Sequence, residues 1–219
     1  MIHNNKSYKS LRTDLLPFVS NPKSILDVGC NEGILGLYIK EKISPDIHVS
    51  GVDYNPKTIA IAKKRLDIAE VIDLNIPEDI QNFLKKCPKY DHMILGDVLE
   101  HLTDPTMALE QLAKHLTPSG KIIISIPNTN HYSSLLNFFS LKWPRNERGI
   151  YDKTHLRIFM LRNIQELAPN GLKVEKIKRK YRLFESRSTI LDKAIAYPLN
   201  LIPYFREFLT FQYIIVIGH

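Results

Sequence analysis

Residues 25–36, Ile-Leu-Asp-Val-Gly-Cys-Asn-Glu-Gly-Ile-Leu-Gly, constrain the fold more than any other stretch of the chain. Ile25, Leu26 and Val28 form an apolar run holding one acid, Asp27, and the run breaks at Gly29 and Gly33 before a helical pattern starts at Ile34. That is a buried strand feeding a helix through a glycine-containing turn. Without a Cβ, glycine takes φ > 0 there and lets a ligand lie against the N–H groups of the helix start. A dinucleotide fingerprint reads Gly-x-Gly-x-x-Gly. Here Asn31 takes the middle glycine's place and the spacing is Gly29-x-x-x-Gly33-x-x-Gly36. Asp27 would repel a pyrophosphate and attract an ammonium or sulfonium group.

Later segments extend the same pattern. A helix is expected over 8–19, ended by Asn21-Pro22, with Tyr8 and Arg12 placed to close over a ligand. A second strand over 47–53 ends in Asp53, where a carboxylate can accept both hydrogen bonds of a ribose diol. A capping role suits Asp53 less well, because Asn55-Pro56 already supplies the next turn. A helix over 56–67, a short strand over 70–72 and a fourth strand over 90–96 follow. The fourth strand runs into Asp97, Glu100 and His101, three ionisable groups at the carboxyl end where open α/β sheets bind ligands. A helix over 105–116, a turn over 117–120, a strand over 121–126 and a helix over 161–168 come next. A strand over 172–181 carries Lys176, Lys178 and Lys180 as a solvated edge, and a strand over 211–217 inserts antiparallel beside it. The fold class is α/β, a doubly wound seven-stranded sheet with the last strand antiparallel.

The acid-x-Gly-x-x-x-Gly turn resembles motif I of the class I S-adenosylmethionine-dependent methyltransferases. Read alone, the turn also admits a nicotinamide nucleotide or an ordinary buried glycine turn. Asp53, the string Gly-Asp-Val-Leu-Glu-His-Leu-x-Asp-Pro from Gly96, Leu-x-Pro-x-Gly from Leu116 and the strand ending Pro127-Asn128 extend the resemblance over residues 8–128. It implies a Rossmann-like methyltransferase domain over 1–219, with an N-terminal helix in 1–24 and a cofactor-binding core at 25–128. S-adenosylmethionine is then the cofactor. Asp27 lies beside its methionine part and Gly29, Asn31 and Gly33 along its path; Asp53 and Tyr54 are at the ribose. Asp73 bonds the adenine amine with Leu74 on the ring and Asn75 as its substitute, and Gly96 and Asp97 complete the set.

Residues 129–160 are too long for an ordinary strand-to-helix connection and read as a substrate lid. Their run Asp-Lys-Thr-His-Leu-Arg-x-Phe, from Asp152, resembles a segment common in bacterial methyltransferases of glycan and surface-polysaccharide pathways. The implied acceptor is a hydroxyl of a sugar, glycan or related small molecule. His155 is the expected base, His101 its orienter or a substrate contact, and Arg157 a clamp for an anionic group. Asp97, Glu100, His101 and His155 also have the composition of a divalent metal site. They resemble the metal-assisted O-methyltransferases of ubiquinone biosynthesis and of small-RNA ends, although Asp97 stands where those groups carry Glu. A plain hydrogen-bond network, and for Glu100 a dipole-favoured acid at a helix start, fit the same residues. A cofactor-binding module without chemistry is the reading outside the enzymes.

Residues 184–208 are rich in apolar side chains broken by Pro198 and Pro203. They read as two short helices forming an acceptor wall or a homodimer surface, or else as a peripheral membrane contact. The net charge of +7 comes from dispersed basic residues with 9% aromatics, which fits a solvated basic face and not a nucleic-acid partner. Two cysteines make no disulfide framework, and the N-terminus has no apolar leader run. The expected location is the cytoplasm.

Overall fold

The computed structural model describes residues 11–182 and 202–219. Its strands are β1 (Ser24–Val28), β2 (His48–Asp53), β3 (Ile68–Val71), β4 (Tyr90–Gly96), β5 (Leu116–Pro127), β6 (Lys173–Tyr181) and β7 (Thr210–Gly218). They form one seven-stranded sheet in the order β3-β2-β1-β4-β5-β7-β6. β1 to β5 pair in parallel, and β7 pairs antiparallel with both β5 and β6. The expected architecture is therefore the observed one. Sheet order reverses between β1 and β4, so the ends of these two strands open the crevice that the chain's ligands can enter.

Side chains alternate between two cores, as the period of a strand requires. Leu26 and Val28 of β1, Met93 and Leu95 of β4, and Ile122 and Ile124 of β5 face one cluster, with α3 (Pro77–Leu84) and α4 (Pro105–Ala113) over it. Ile25, Ile94, Ile123 and Ile214 face the other, under α1 (Ile34–Lys42) and α2 (Pro56–Ala62). Central strands buried on both faces explain why the sequence runs there are continuously apolar.

Several expected elements differ in detail. The helix expected over 8–19 is a 3-10 segment at Thr13–Phe18, because Pro17 removes an N–H and cannot continue an α-helix; residues 8–10 lie outside the described residues. The helix over 161–168 is likewise 3-10, at Leu161–Leu167. α2 stops at Ala62, and 63–65 continue as turns. α3, begun by Pro77 with Glu78 and Asp79 in its first turn, was not expected. The residues read as a turn at 117–120 lie inside β5, where an irregular register opposite Tyr90 and His92 absorbs them. Within 129–160, α5 (Tyr132–Phe139) is capped by the His131 side chain on the Ser133 N–H. Of the apolar segment 184–208, residues 184–201 lie outside the described residues, and α6 (Pro203–Leu209) follows them. No helix among the described residues is long and apolar enough to cross a membrane.

Candidate active site

The turn after β1 has the backbone its glycines require. Gly29 and Gly33 sit at φ 74° and 73°, with Asn31 also left-handed at φ 51°. A Cβ on Gly29 would lie 2.6 Å from Val98 Cγ2, so the turn closes directly on the segment after β4. Asp27 is buried beneath it, and burial, reinforced by the charge of Asp53, pushes its carboxyl up to about 7. Asp27, Gly29, Asn31, Gly96 and Asp97, with Leu11 and Arg12, line one cleft of about 90 Å³. A buried acid that has shed its proton only near neutrality gains most from a cation, and this chemistry fits the ammonium and sulfonium end of the expected cofactor.

Asp53 stands at the tip of β2. Its carboxylate accepts from the Asn31 N–H and the Asn55 N–H, each at 2.9 Å, which ties the β1 and β2 turns together. Burial nevertheless raises its pKa against those bonds. Tyr54 beside it is 74% exposed. Leu74 is buried, whereas the Asp73 carboxylate is exposed and accepts from both the backbone and the side-chain amide of Asn75 at 2.9 Å. Asn75 in turn accepts from Thr103 through its Oδ1, so the residues after β3 are fastened to the loop after β4.

Asp97 adopts φ 59°, unusual without a glycine, and its carboxylate is taken by three donors. They are Arg12, Ser125 Oγ at 2.8 Å and Gln212 Nε2 at 2.6 Å. Ser125 and Gln212 were not expected at the site. Ser125 did leave a signal, being the polar interruption in the buried run Ile122–Ile126. Gln212 reaches Asp97 because β7 pairs with β5, where Gln212 lies opposite Pro127, a register the sequence does not show.

A second group forms one turn further on. The 3-10 turn Leu99–His101 buries Glu100 to 1% exposure. The Leu156 and Arg157 N–H groups both donate to the Glu100 carbonyl, at 2.8 and 3.1 Å, and so dock the 129–160 segment onto this turn. Glu100, His101 and His155 each offer a ligand atom within 4.8 Å of the others, and the two imidazoles meet edge to face at 4.9 Å. Glu100 Oε1 lies 4.0 Å from His155 Nε2, while Oε2 is buried without a hydrogen-bond partner. Burial and the neighbouring Asp97 raise the Glu100 pKa. Burial, then His101, lowers that of His155 and keeps its imidazole neutral.

Both rings have a defined proton. His155 Nδ1 meets the Ile150 carbonyl at 3.2 Å, so Nδ1 donates and Nε2 keeps its lone pair. Thr154 Oγ1 donates to Asp152 at 2.6 Å and lies 3.1 Å from His101 Nδ1, which donates to it. Asp152 is thereby the anchor of His101: burial alone would raise its pKa, but the bonds from Thr154 outweigh that and lower it. Asp97 stays outside the three-residue group, committed to Arg12, Ser125 and Gln212. Arg157 also stays outside it, since its exposed guanidinium donates to the Thr103 carbonyl.

The match to known proteins is decisive at family level. Residues 1–176 fit the model of the methyltransferase domain. The chain belongs to the methyltransferase domain family. The chain is 30% identical over 135 residues to the ubiquinone biosynthesis O-methyltransferase of Coxiella burnetii, a match covering 59% of the chain and 55% of that protein. The chain thus spans about half the length of the curated relatives it matches. Among solved structures, a SAM-dependent methyltransferase from Archaeoglobus fulgidus superposes with a TM-score of 0.59 at 21% identity, over 94% of this chain and 90% of that one. The plantazolicin methyltransferase BamL, solved with SAH, gives 0.60 at 18% identity over 92% and 79%. At such identities these two likenesses concern the methyltransferase fold alone.

Proposed function

We propose that the chain methylates a hydroxyl of a small-molecule acceptor, a sugar or glycan in the first instance, with His155 as general base. The methyl donor is S-adenosylmethionine, which supplies an electrophilic methyl on a sulfonium. When the methyl–sulfur bond breaks, its electron pair stays on sulfur, the acceptor oxygen bonds the carbon, and the hydroxyl proton must leave. His155 Nε2 takes that proton. The observation that carries this reading is a half-buried imidazole, pushed toward its neutral form, whose Nδ1 is fixed on the Ile150 carbonyl beside the buried carboxyl of Glu100. Asp27 holds the cationic end of the donor, Asp53 its ribose diol, and Asp73 with Leu74 its adenine, while the glycine turn lets it lie against the backbone.

A second reading has its own support. Metal-bound histidines characteristically donate their other ring N–H to a carbonyl, a carboxylate or water, and His155 donates Nδ1–H to a carbonyl while His101 donates to Thr154. With Glu100 Oε2 unpartnered, Glu100, His101 and His155 would hold a divalent ion that lowers the pKa of the acceptor hydroxyl. The named O-methyltransferase of ubiquinone biosynthesis among the relatives favours a quinone-like, dihydroxyaromatic acceptor for that case.

The test is methyl transfer from labelled S-adenosylmethionine to a panel of sugars, nucleotide sugars and catechols, with and without a chelator. Transfer to a sugar that survives chelation supports the first reading. Transfer to a catechol that stops on chelation and returns with added divalent ion replaces it by the second. No transfer to any of them by a folded chain that binds S-adenosylhomocysteine would refute both.

A further inference from the structure

The densest run of exposed apolar side chains among the described residues is not at the candidate active site. It is α5 and the loop that follows. α5 is amphipathic in the wrong sense for a globular helix: its one buried residue is Ser134, while Leu136, Phe138 and Phe139 are 62%, 70% and 77% exposed. Leu141 adds to them at 95% exposure and φ 57°, a left-handed conformation that disfavours a branched side chain and that no packing contact repays. Trp143 is half exposed, edge-on to Tyr151 at 5.3 Å. Single exposed apolar residues need no explanation, but a contiguous set of this size marks a surface that something covers.

The charges identify the partner. Lys142, Arg145 and Arg148 are exposed within the same loop, against a single acid, Glu147, which pairs with Lys153. Aromatic and aliphatic side chains interleaved with cations match the boundary between acyl chains and anionic headgroups. Leu135 continues the patch into a groove of about 450 Å³ between α5 and α6, lined by Tyr132, Leu135, Phe205, Phe208 and Leu209. Its lining is apolar and aromatic, as an acyl or isoprenoid chain requires.

We propose that residues 135–148 seat this methyltransferase on an anionic phospholipid bilayer, with Phe138, Phe139 and Leu141 entering the interface and Lys142, Arg145 and Arg148 on the headgroups. The same segment runs through Tyr151, whose hydroxyl bonds Ser133 at 2.7 Å, to His155, so the docked face and the candidate base belong to one folded unit. An acceptor carried in the membrane would meet the site from that side. The inference stands on the surface and holds for either acceptor class.

Trp143 is the sole tryptophan of the chain and reports on this surface. Its emission is to be followed as the full chain is titrated with phosphatidylcholine vesicles and with vesicles containing phosphatidylglycerol, alongside co-sedimentation. The expected result is a blue shift and sedimentation with the anionic vesicles alone, weakened by salt. Phe138→Ser/Phe139→Ser lowers the partition at least ~10-fold, and Lys142→Glu/Arg145→Glu/Arg148→Glu lowers it by about two orders of magnitude, at roughly fivefold per surface cation. These side chains are exposed, so both variants keep the circular dichroism of the parent. No shift with anionic vesicles, binding undiminished in both variants, or a shift that appears with rising protein concentration and no lipid, the sign of a second copy on this face, would overturn the proposal.

Discussion

The proposed cofactor side and the proposed acceptor side of the site are built differently. The cofactor side is made of strand ends and turns: Asp27 and Asp53 close β1 and β2, and glycine φ angles shape the backbone between them. The acceptor side is made of a loop folded back across the molecule, His155 reaching Glu100 only because the Leu156 and Arg157 N–H groups clamp the Glu100 carbonyl. On the proposed reading, binding of the donor rests on elements the sheet fixes, and proton removal rests on a docked segment. The two functions should be separable by substitution.

The largest expected break is His155→Ala, which should lower turnover by about 10²–10⁴-fold while the S-adenosylhomocysteine affinity stays at the parent value. A radiolabelled transfer assay beside a binding titration checks it. If both fall together, the separation fails.

The pH dependence sharpens the comparison from the cofactor side. Asp27 has a folded pKa of about 7 against an ordinary 3.8, so it keeps its proton in the folded state where the unfolded chain has lost it. Its effect on stability is most favourable below the ordinary value and declines as pH rises toward 7, by at most ~4 kcal/mol. Burial shifts Glu100 in the same direction and adds to the decline. Thermal melts of Asp27→Asn should show a flatter pH slope than the parent over that window. Affinity for the cationic cofactor follows the deprotonated acid, and should fall by up to about tenfold per pH unit below 7, a dependence that Asp27→Asn abolishes.

The smallest expected effect is that of Arg157→Ala. Its guanidinium meets the Thr103 carbonyl outside the group of Glu100, His101 and His155, so kcat should change by less than about threefold. A loss comparable to that of His155→Ala in steady-state kinetics would place Arg157 on the acceptor instead.

This contrast also explains what could be read from the sequence. Strand–glycine–helix patterns and the acids at strand ends are local signals, and β7 between β5 and β6 follows from a terminal hairpin. The sequence also pointed to His101, Glu100 and His155 as a group. It did not show that Asp97 is diverted to Arg12, Ser125 and Gln212, because that depends on three elements distant in sequence. Nor did the apolar content of α5 show which way its side chains face, since the fold turns its polar face, with Ser134, inward and leaves its apolar face outside.

The most direct test of the division is a calorimetric titration of S-adenosylhomocysteine into the parent, Asp53→Ala and His155→Ala proteins under one set of conditions. The expected result is saturable binding to the parent, about 10–100-fold weaker binding to Asp53→Ala through loss of charge-assisted bonds, and unchanged binding to His155→Ala. No binding to a folded parent, or equal weakening in both variants, would contradict it.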